Sequence, residues 1–426
     1  MKRNLLTQMT NEWKENAWLI IELAVVLSVV WGLSTSLYAQ LIGLSEPKGY
    51  DPDNVHSIKA FYISSNSPDY IPVENDWETY YEDLYQLYAQ LKENVNVEAI
   101  ALHDNADPYN MSGRNNFLIP ADGNDSIIYN ANLRFATPDI IDVLGVKSLT
   151  GLTPEKLKEI LRNGELLITD SRAYQELGRD PLLLKGKTVF FSNDSSRLYR
   201  VGDVVQQIKR NEYEINTENG NVFFPLNEHQ PGMACNILLK LKPGTADKFY
   251  EEFQNNKNLR SVRNVYLCDL TSLMEQKELI QKNNDVNVRV YFSVTLILLI
   301  TIFLGLLGSF WFRVQQRVSE IAIRKVCGAN RKQIFVRLIT EGLILLFVST
   351  IIVSAIIWPV ADKFMDKFIR MSNRISFMGA SLIDNQVILI MEITSVIVIA
   401  IGIIISLWYP ARKAMQIEPA EAIKSE

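Results

Sequence analysis

Few residues have both the type and the spacing that chemistry needs. Lys185, Gly186, Lys187 and Thr188 look like the end of a phosphate-binding loop, but such a loop requires a glycine five residues before Gly186, and Pro181 stands there. A nucleotide site at this string is rejected. His56, His103 and His229 are too far apart for a helical metal pair, no Cys or His spacing resembles a zinc site, and no serine sits in a Gly-x-Ser-x-Gly elbow. Carboxylates are plentiful between Gly43 and Asp285, yet nothing marks one pair over another for hydrolysis. Cys235 and Cys268 share that segment and could pair in an oxidising compartment, whereas Cys327 lies in a basic loop. The Asn-x-Ser/Thr triplets at Asn110, Asn124 and Asn193 read as loop accidents. The chain is therefore expected to carry no catalytic residue, no metal and no cofactor of its own.

The elements around these residues sort by hydropathy. Of the 426 residues, 48% are hydrophobic, and they concentrate in one run near the start and three in the last third. A helix needs about 20 apolar residues to cross a bilayer. Four stretches qualify: 18–39, 290–312, 338–358 and 387–409. The first is read as an uncleaved span, because its apolar run is longer than a signal core and no small-x-small site precedes Gln40. Between the second and third spans, 313–337 holds Arg313, Arg317, Arg324, Lys325, Arg331, Lys332 and Arg337 against one acid, Glu320. By the positive-inside rule this segment is cytoplasmic. The N-terminus (1–17) and C-terminus (410–426) follow on the same side. Segments 40–289 and 359–386 then face outward, although Lys363, Lys367, Arg370 and Arg374 in the second run against the charge rule.

From Gly43 to Asp285 there are 25 Lys or Arg against 36 Asp or Glu, and the remainder of the chain carries 18 against 12. An acidic outer domain on basic membrane-proximal segments gives no footprint for nucleic acid, which wants clustered positive charge. Glu22, Glu341 and Glu392 fall in or at the ends of spans and are read as interface anchors. A proton relay is the other reading, and no second intramembrane carboxylate or histidine is placed to receive the proton.

The outward segment mixes periods of 3.6 and 2. Trp77, Tyr81, Leu84, Leu87, Tyr88 and Leu91 predict an amphipathic helix over 76–94. Thr137–Pro138 and Thr153–Pro154 open helices over 137–144 and 153–162, and 243–253 reads as another. Strand-type runs are predicted at 95–102, 165–169, 187–192, 197–205, 221–225 and 234–241. The fold class is thus a four-span α-helical membrane domain with an α+β domain of two lobes inserted between spans 1 and 2. Helical spacing from Leu270 to Val290 continues into the second span without Gly or Pro, which predicts a stiff stalk.

After the second span the chain reads Glu320, Ile321, Ala322, Ile323, Arg324, Lys325, Val326, Cys327, Gly328, Ala329, Asn330, Arg331. Read physically, this is a short amphipathic helix stopped by Gly328 and lying across the inner face of the membrane. The bland alternative is a basic connector that satisfies topology alone. The run resembles the E-I-x-I-R-K-x-x-G-A pattern of MacB/FtsX-type permeases of ABC transporters. The chain's end, with Pro410, Ala411, Arg412, Pro419, Ala420 and Ile423, is similar to that family's C-terminal P-A-R-x-A-x-x-I-x-P pattern. Looser likenesses lie at 136–145 and 199–205. Cys327 and Asp203 depart from the pattern, the first where an apolar residue is usual and the second where Gly or Val is frequent.

The resemblance implies that Glu320, Ile321, Ile323, Arg324, Lys325, Gly328, Ala329 and Arg331 form an element that docks on a cytoplasmic ABC ATPase. No ATPase domain precedes the first span, so ATP and Mg are expected on a separate chain. A second permease copy or a paralogue, a periplasmic adaptor and an outer-membrane channel are further partners it implies, in the inner membrane of a bacterium. The expected function is mechanical work outside that membrane, such as efflux or substrate extraction, driven by ATP inside. The rival reading is a membrane sensor or regulator whose outer domain binds a ligand or a cell-wall hydrolase. An exported hydrolase on an anchor would leave three spans without a purpose.

Overall fold

The computed structural model describes residues 13–110, 113–122, 129–171, 180–210, 212–213, 220–226, 235–373 and 385–414. His229, Asn124, Pro419, Ala420 and Ile423 lie outside them. The chain divides into two compact units, one of residues 1–41, 286–375 and 381–426, the other of 42–285 with 376–380.

The order opens with α1 (Trp13–Ser45), β1 (Val55–Tyr62), α2 (Asp76–Lys92), β2 (Val97–Asp104), β3 (Asn115–Pro120) and β4 (Tyr129–Ala136). Next come α3 (Ile140–Leu144), α4 (Pro154–Arg162), β5 (Leu166–Thr169), β6 (Thr188–Phe191), β7 (Asp194–Val205), β8 (Gly220–Pro225) and β9 (Asn236–Leu241). The chain continues through α5 (Ala246–Asn255), β10 (Ser261–Val262) and β11 (Val265–Ser272) into α6 (Leu273–Gln316), α7 (Val318–Val326), α8 (Arg331–Asn373) and α9 (Asn385–Ala414). Four of these helices, α1, α6, α8 and α9, are long and apolar enough to cross a membrane.

The outer domain is an α+β fold inserted between the first two of those helices. Its strands run β10-β11-β1-β9-β2-β4-β3-β6-β7-β5-β8, and β8 pairs back on β4 in parallel. That last pairing closes β3 to β8 into a ring of six strands, leaving β10, β11, β1, β9 and β2 as an open sheet. Two lobes result, joined where β2 pairs with β4 through His103–Ala136 and Asp104–Phe135. Closure removes free edges from one lobe. Its interior holds Leu118, Leu166, Ile168, Val189, Val201 and Val222.

The open sheet is covered by α2 and α5. Asn75 caps α2, its side-chain oxygen accepting from the Glu78 N–H, and its side-chain NH2 donates to the Glu78 carboxylate at 3.2 Å. Tyr80, Tyr81, Leu84, Leu87, Tyr88 and Leu91 are the buried face.

Several sequence expectations shift. Leu270 to Ser272 belong to β11 and not to the stalk, because Val265, Leu267 and the residues after them pair with β1. From Leu273 the helix is unbroken to Gln316, 44 residues or about 66 Å. Helix α8 runs on through Pro359 to Asn373, where a loop was expected from Pro359. A proline removes one N–H and kinks a helix. Nothing in the next fourteen residues stops the helix once past it. Cys235 and Cys268 are not joined by a disulfide, and the first is buried. Burial pushes the Cys235 thiol up to about 12.

Candidate functional site

The basic segment after α6 folds into a rigid corner. Arg317, with φ −108° and ψ 16°, separates α6 from α7. At the other end of α7, Cys327 is the last helical-type residue and Gly328 turns left-handed at φ +89°. The Ala329 N–H donates to the Arg324 carbonyl and the Gly328 N–H to the Lys325 carbonyl, each at 3.0 Å. This is a Schellman closure, which satisfies the carbonyls a helix end leaves open. Asn330 then caps α8. It accepts from the Gln333 N–H at 2.8 Å, while the Gln333 side chain accepts from the Asn330 N–H at 3.1 Å. Stop and start are thus fused over three residues, Gly328, Ala329 and Asn330.

Helix α7 has no single apolar face. Ile321 and Ala322 are buried, whereas Ile323 is 55% and Val326 66% exposed. At 100° per residue, Ile321 and Ile323 point nearly opposite ways. Ile323, Val326 and Cys327, spaced i, i+3 and i+4, form an exposed ridge instead. Glu320 and Arg324 pair along the helix, Nη2 to Oε1 at 2.5 Å and Nε to the same oxygen at 3.0 Å. Gly328 and Arg331 are exposed, and Lys325 and Ala329 half-buried.

Below this corner, charges that the sequence presents only as topological markers come together. The Glu341 carboxylate on α8 is 5% exposed. It accepts from Arg313 Nη2 at 2.6 Å and from Arg317 Nη1 at 2.7 and 2.9 Å. Arg313 also donates to Asn16 Oδ1 on α1 at 2.5 Å, and Ser309 one turn earlier donates to Glu22 Oε1 at 2.6 Å. A groove of about 590 Å³ runs alongside, lined by Trp18, Glu22, Phe312, Gln316 and Glu320 among others. Glu341, read from sequence as an interface anchor, has two guanidiniums in the place that solvent would take. The signal available in sequence was the Arg313–Arg317 spacing of four residues at the end of one span and an acid inside the next. Glu392 accepts from Ser354 Oγ and, at 2.8 Å, from Trp358 Nε1 on α8.

Of the C-terminal motif, Pro410 and Ala411 are buried within α9, which continues to Ala414, and Arg412 is exposed with its guanidinium 5.7 Å over the Trp408 ring. Tyr409 stacks on Trp311 of α6 at 5.4 Å, and Lys413 Nζ lies 5.2 Å above the same indole.

In the outer domain the phosphate-loop look-alike is a turn, with Gly186 at φ +77°. Lys185 Nζ pairs with buried Asp203 at 2.9 Å. Burial alone would push the Asp203 carboxyl up, but hydrogen bonds from Ser148, Lys185 and Thr150 hold it below the usual carboxylate range. This accounts for the aspartate at 203. His56 shares a 3.1 Å hydrogen bond with the Tyr250 hydroxyl, and burial lowers it to about 4. His103 is fully buried and is likewise lowered by burial. Among the described residues no cluster of His, Cys, Asp and Glu is placed to hold a metal. A groove of about 540 Å³ is lined by Lys59, Asp107, Asn110, Asp269, Thr271 and Gln276 among others, and these groups largely satisfy one another.

Residues 292–419 match the family model described as the FtsX-like permease C-terminal region. No curated protein matches the chain. Among solved structures, the periplasmic region of MacB from Actinobacillus actinomycetemcomitans aligns at 15% identity and a TM-score of 0.31, covering 54% of this chain and 94% of that one. The extracellular domain of the noncanonic ABC-type transporter YknZ from Gram-positive bacteria aligns at 12% identity and a TM-score of 0.30, covering 50% and 100%.

Proposed function

We propose that this chain, an ABC-type permease of the MacB/FtsX kind, is the permease subunit that converts ATP binding and hydrolysis on a separate cytoplasmic ATPase into movement of its outer domain. The observation that carries this is the α7 corner: a short helix clamped at both ends, with an exposed ridge of Ile323, Val326 and Cys327. Buried apolar side chains stabilise a helix, whereas exposed ones in a row mark a contact surface. Basic Arg324 and Lys325 flank the ridge. The family implies a cytoplasmic ATPase partner, and α7 is the surface we assign to it.

Movement of α7 is carried outward by α6, which reaches the outer domain without a break. Nucleotide can drive this only if the ATP-bound ATPase prefers one permease conformation over the other by a few kcal/mol. Two permease copies in a bacterial inner membrane, with the outer domains in the periplasm, complete the reading, and efflux or substrate extraction is the work performed. The ATP and Mg belong to the partner.

The test is purification from native membranes in mild detergent. An ABC ATPase should copurify with the wild type and be lost from the Arg324→Glu, Lys325→Glu variant. Failure to recover any ATPase, in every nucleotide condition, removes the engine and leaves the sensor reading in its place.

A further inference from the structure

We propose that Glu341 is a positioning residue that gears α7 to α6, so that displacement of the docking helix moves the stalk and not α7 alone. The inference rests on the function proposed above and concerns how that site transmits, not what it binds.

Arg317 is the pivot between α6 and α7, and Arg313 lies four residues earlier, on the last turn of α6. One carboxylate on α8 grips the pivot and the last turn of α6 together, with three hydrogen bonds between 2.6 and 2.9 Å. The far end of α7 is already tied to the start of α8 by the Gly328–Asn330 corner. A triangle results. Its sides are α7, the first three turns of α8 as far as Glu341, and the Arg317–Glu341 contact. With that contact in place the triangle moves as one body and carries the end of α6 with it through Arg313. Without it, α7 swings on the corner.

Packing alone does not explain the cluster. Burying one carboxylate and half-burying two guanidiniums is costly, and apolar side chains of the same volume would hold the helices together as well or better. What apolar packing lacks is direction, which a planar guanidinium fork on a carboxylate supplies. The 590 Å³ groove beside Glu22, Gln316 and Glu320 gives the triangle space in which to shift.

The experiment uses the full-length permease in lipid nanodiscs with the ABC ATPase recovered alongside the wild type. Glu341→Gln should retain that ATPase as well as the wild type does. Its permease-dependent stimulation of ATP turnover should fall about tenfold with KM for ATP unchanged, and Glu341→Asp should restore part of it. Because Glu341→Gln removes the carboxylate from two half-buried arginines, the triple variant Glu341→Gln, Arg313→Gln, Arg317→Gln is measured beside it. It removes the charges together and should show the same loss with normal ATPase retention. Wild-type stimulation in the triple variant overturns the proposal. So does loss of ATPase retention in Glu341→Gln to the level of the Arg324→Glu, Lys325→Glu variant, since Glu341 would then be supporting the docking surface. A wild type that recovers no ATPase overturns the functional reading itself, and the gearing with it.

Discussion

Replacing Gly328 by alanine tests whether the α7–α8 corner depends on a left-handed residue. At φ +89° the backbone sits where an L side chain is disfavoured, and a Cβ built there meets no atom within 4 Å. Steric conflict with neighbours therefore contributes nothing, and the cost is that of the backbone conformation alone, about 1–2 kcal/mol. Tenfold corresponds to about 1.4 kcal/mol, so local opening of the corner should become about five to thirty times more frequent. Amide hydrogen exchange reads this opening directly, because the Gly328 and Ala329 N–H groups exchange only when their bonds to Lys325 and Arg324 break. In nanodiscs, a peptide spanning 318–330 should lose protection by that factor in Gly328→Ala and by clearly less in Gly328→Asn, since asparagine tolerates the left-handed region. Equal loss in the two variants would place the effect in the side chain. No loss in either would show that the corner is held by contacts other than the Schellman bonds.

Three further outcomes follow from the same geometry. Ile323→Glu with Val326→Glu should abolish ATPase copurification while leaving the thermal unfolding of the outer domain unchanged, because both side chains are exposed. Asp203→Asn should lower outer-domain stability by about 1–3 kcal/mol, measured by denaturant titration. The folded-state pKa of Asp203 is depressed, so its contribution is complete above the ordinary aspartate value of 3.8 and is lost as pH falls through the depressed one; acid titration of the variant should show a flatter limb there. Gly220→Ala should destabilise the closed lobe by about 1–3 kcal/mol, since the new Cβ would fall on the Tyr129 hydroxyl, itself fixed by a 2.6 Å bond to the Thr169 carbonyl. Replacing Tyr129 by leucine in the same chain should recover part of that loss, as read by thermal melting.

Hydropathy and period made the long helices, α2 and the α+β character of the inserted domain legible in the sequence. They failed at β4. Asn130, Asn132 and Arg134 alternate there with Ala131, Leu133 and Phe135, the period of a strand with its polar face in water. All three polar side chains are buried, with Arg134 donating to Asn221 at 2.7 Å and to the Ala106 carbonyl at 3.2 Å. A polar face inside a domain can be recognised only when its partners are known, and Asn221 is 87 residues away. Ring closure is hidden for the same reason, because it rests on the parallel pairing of β4 with β8. At the candidate site, the Gly328 stop could be read because it is local. The clamp could not, because Glu341 lies 24 and 28 residues from the two arginines and looks in sequence like an acid near a membrane surface.

The arrangement of contacts along α6 bears on how it could move. Its most apolar stretch is only 6% buried within the chain, against 28% for each of the other three candidate spans. Apolar contacts with lipid have no preferred register, so sliding or tilting along such a surface meets little resistance. Direction sits at the two ends: near the start Lys277 pairs with Glu212 and Asp285 accepts from the Tyr213 hydroxyl, and at the other end Ser309 meets Glu22, Arg313 meets Glu341 and Asn16, and Trp311 meets Tyr409 and Lys413. A rod with a smooth middle and keyed ends transmits what is done to either of them. Had the polar contacts been spread along its length, the same displacement would have had to break each of them in turn.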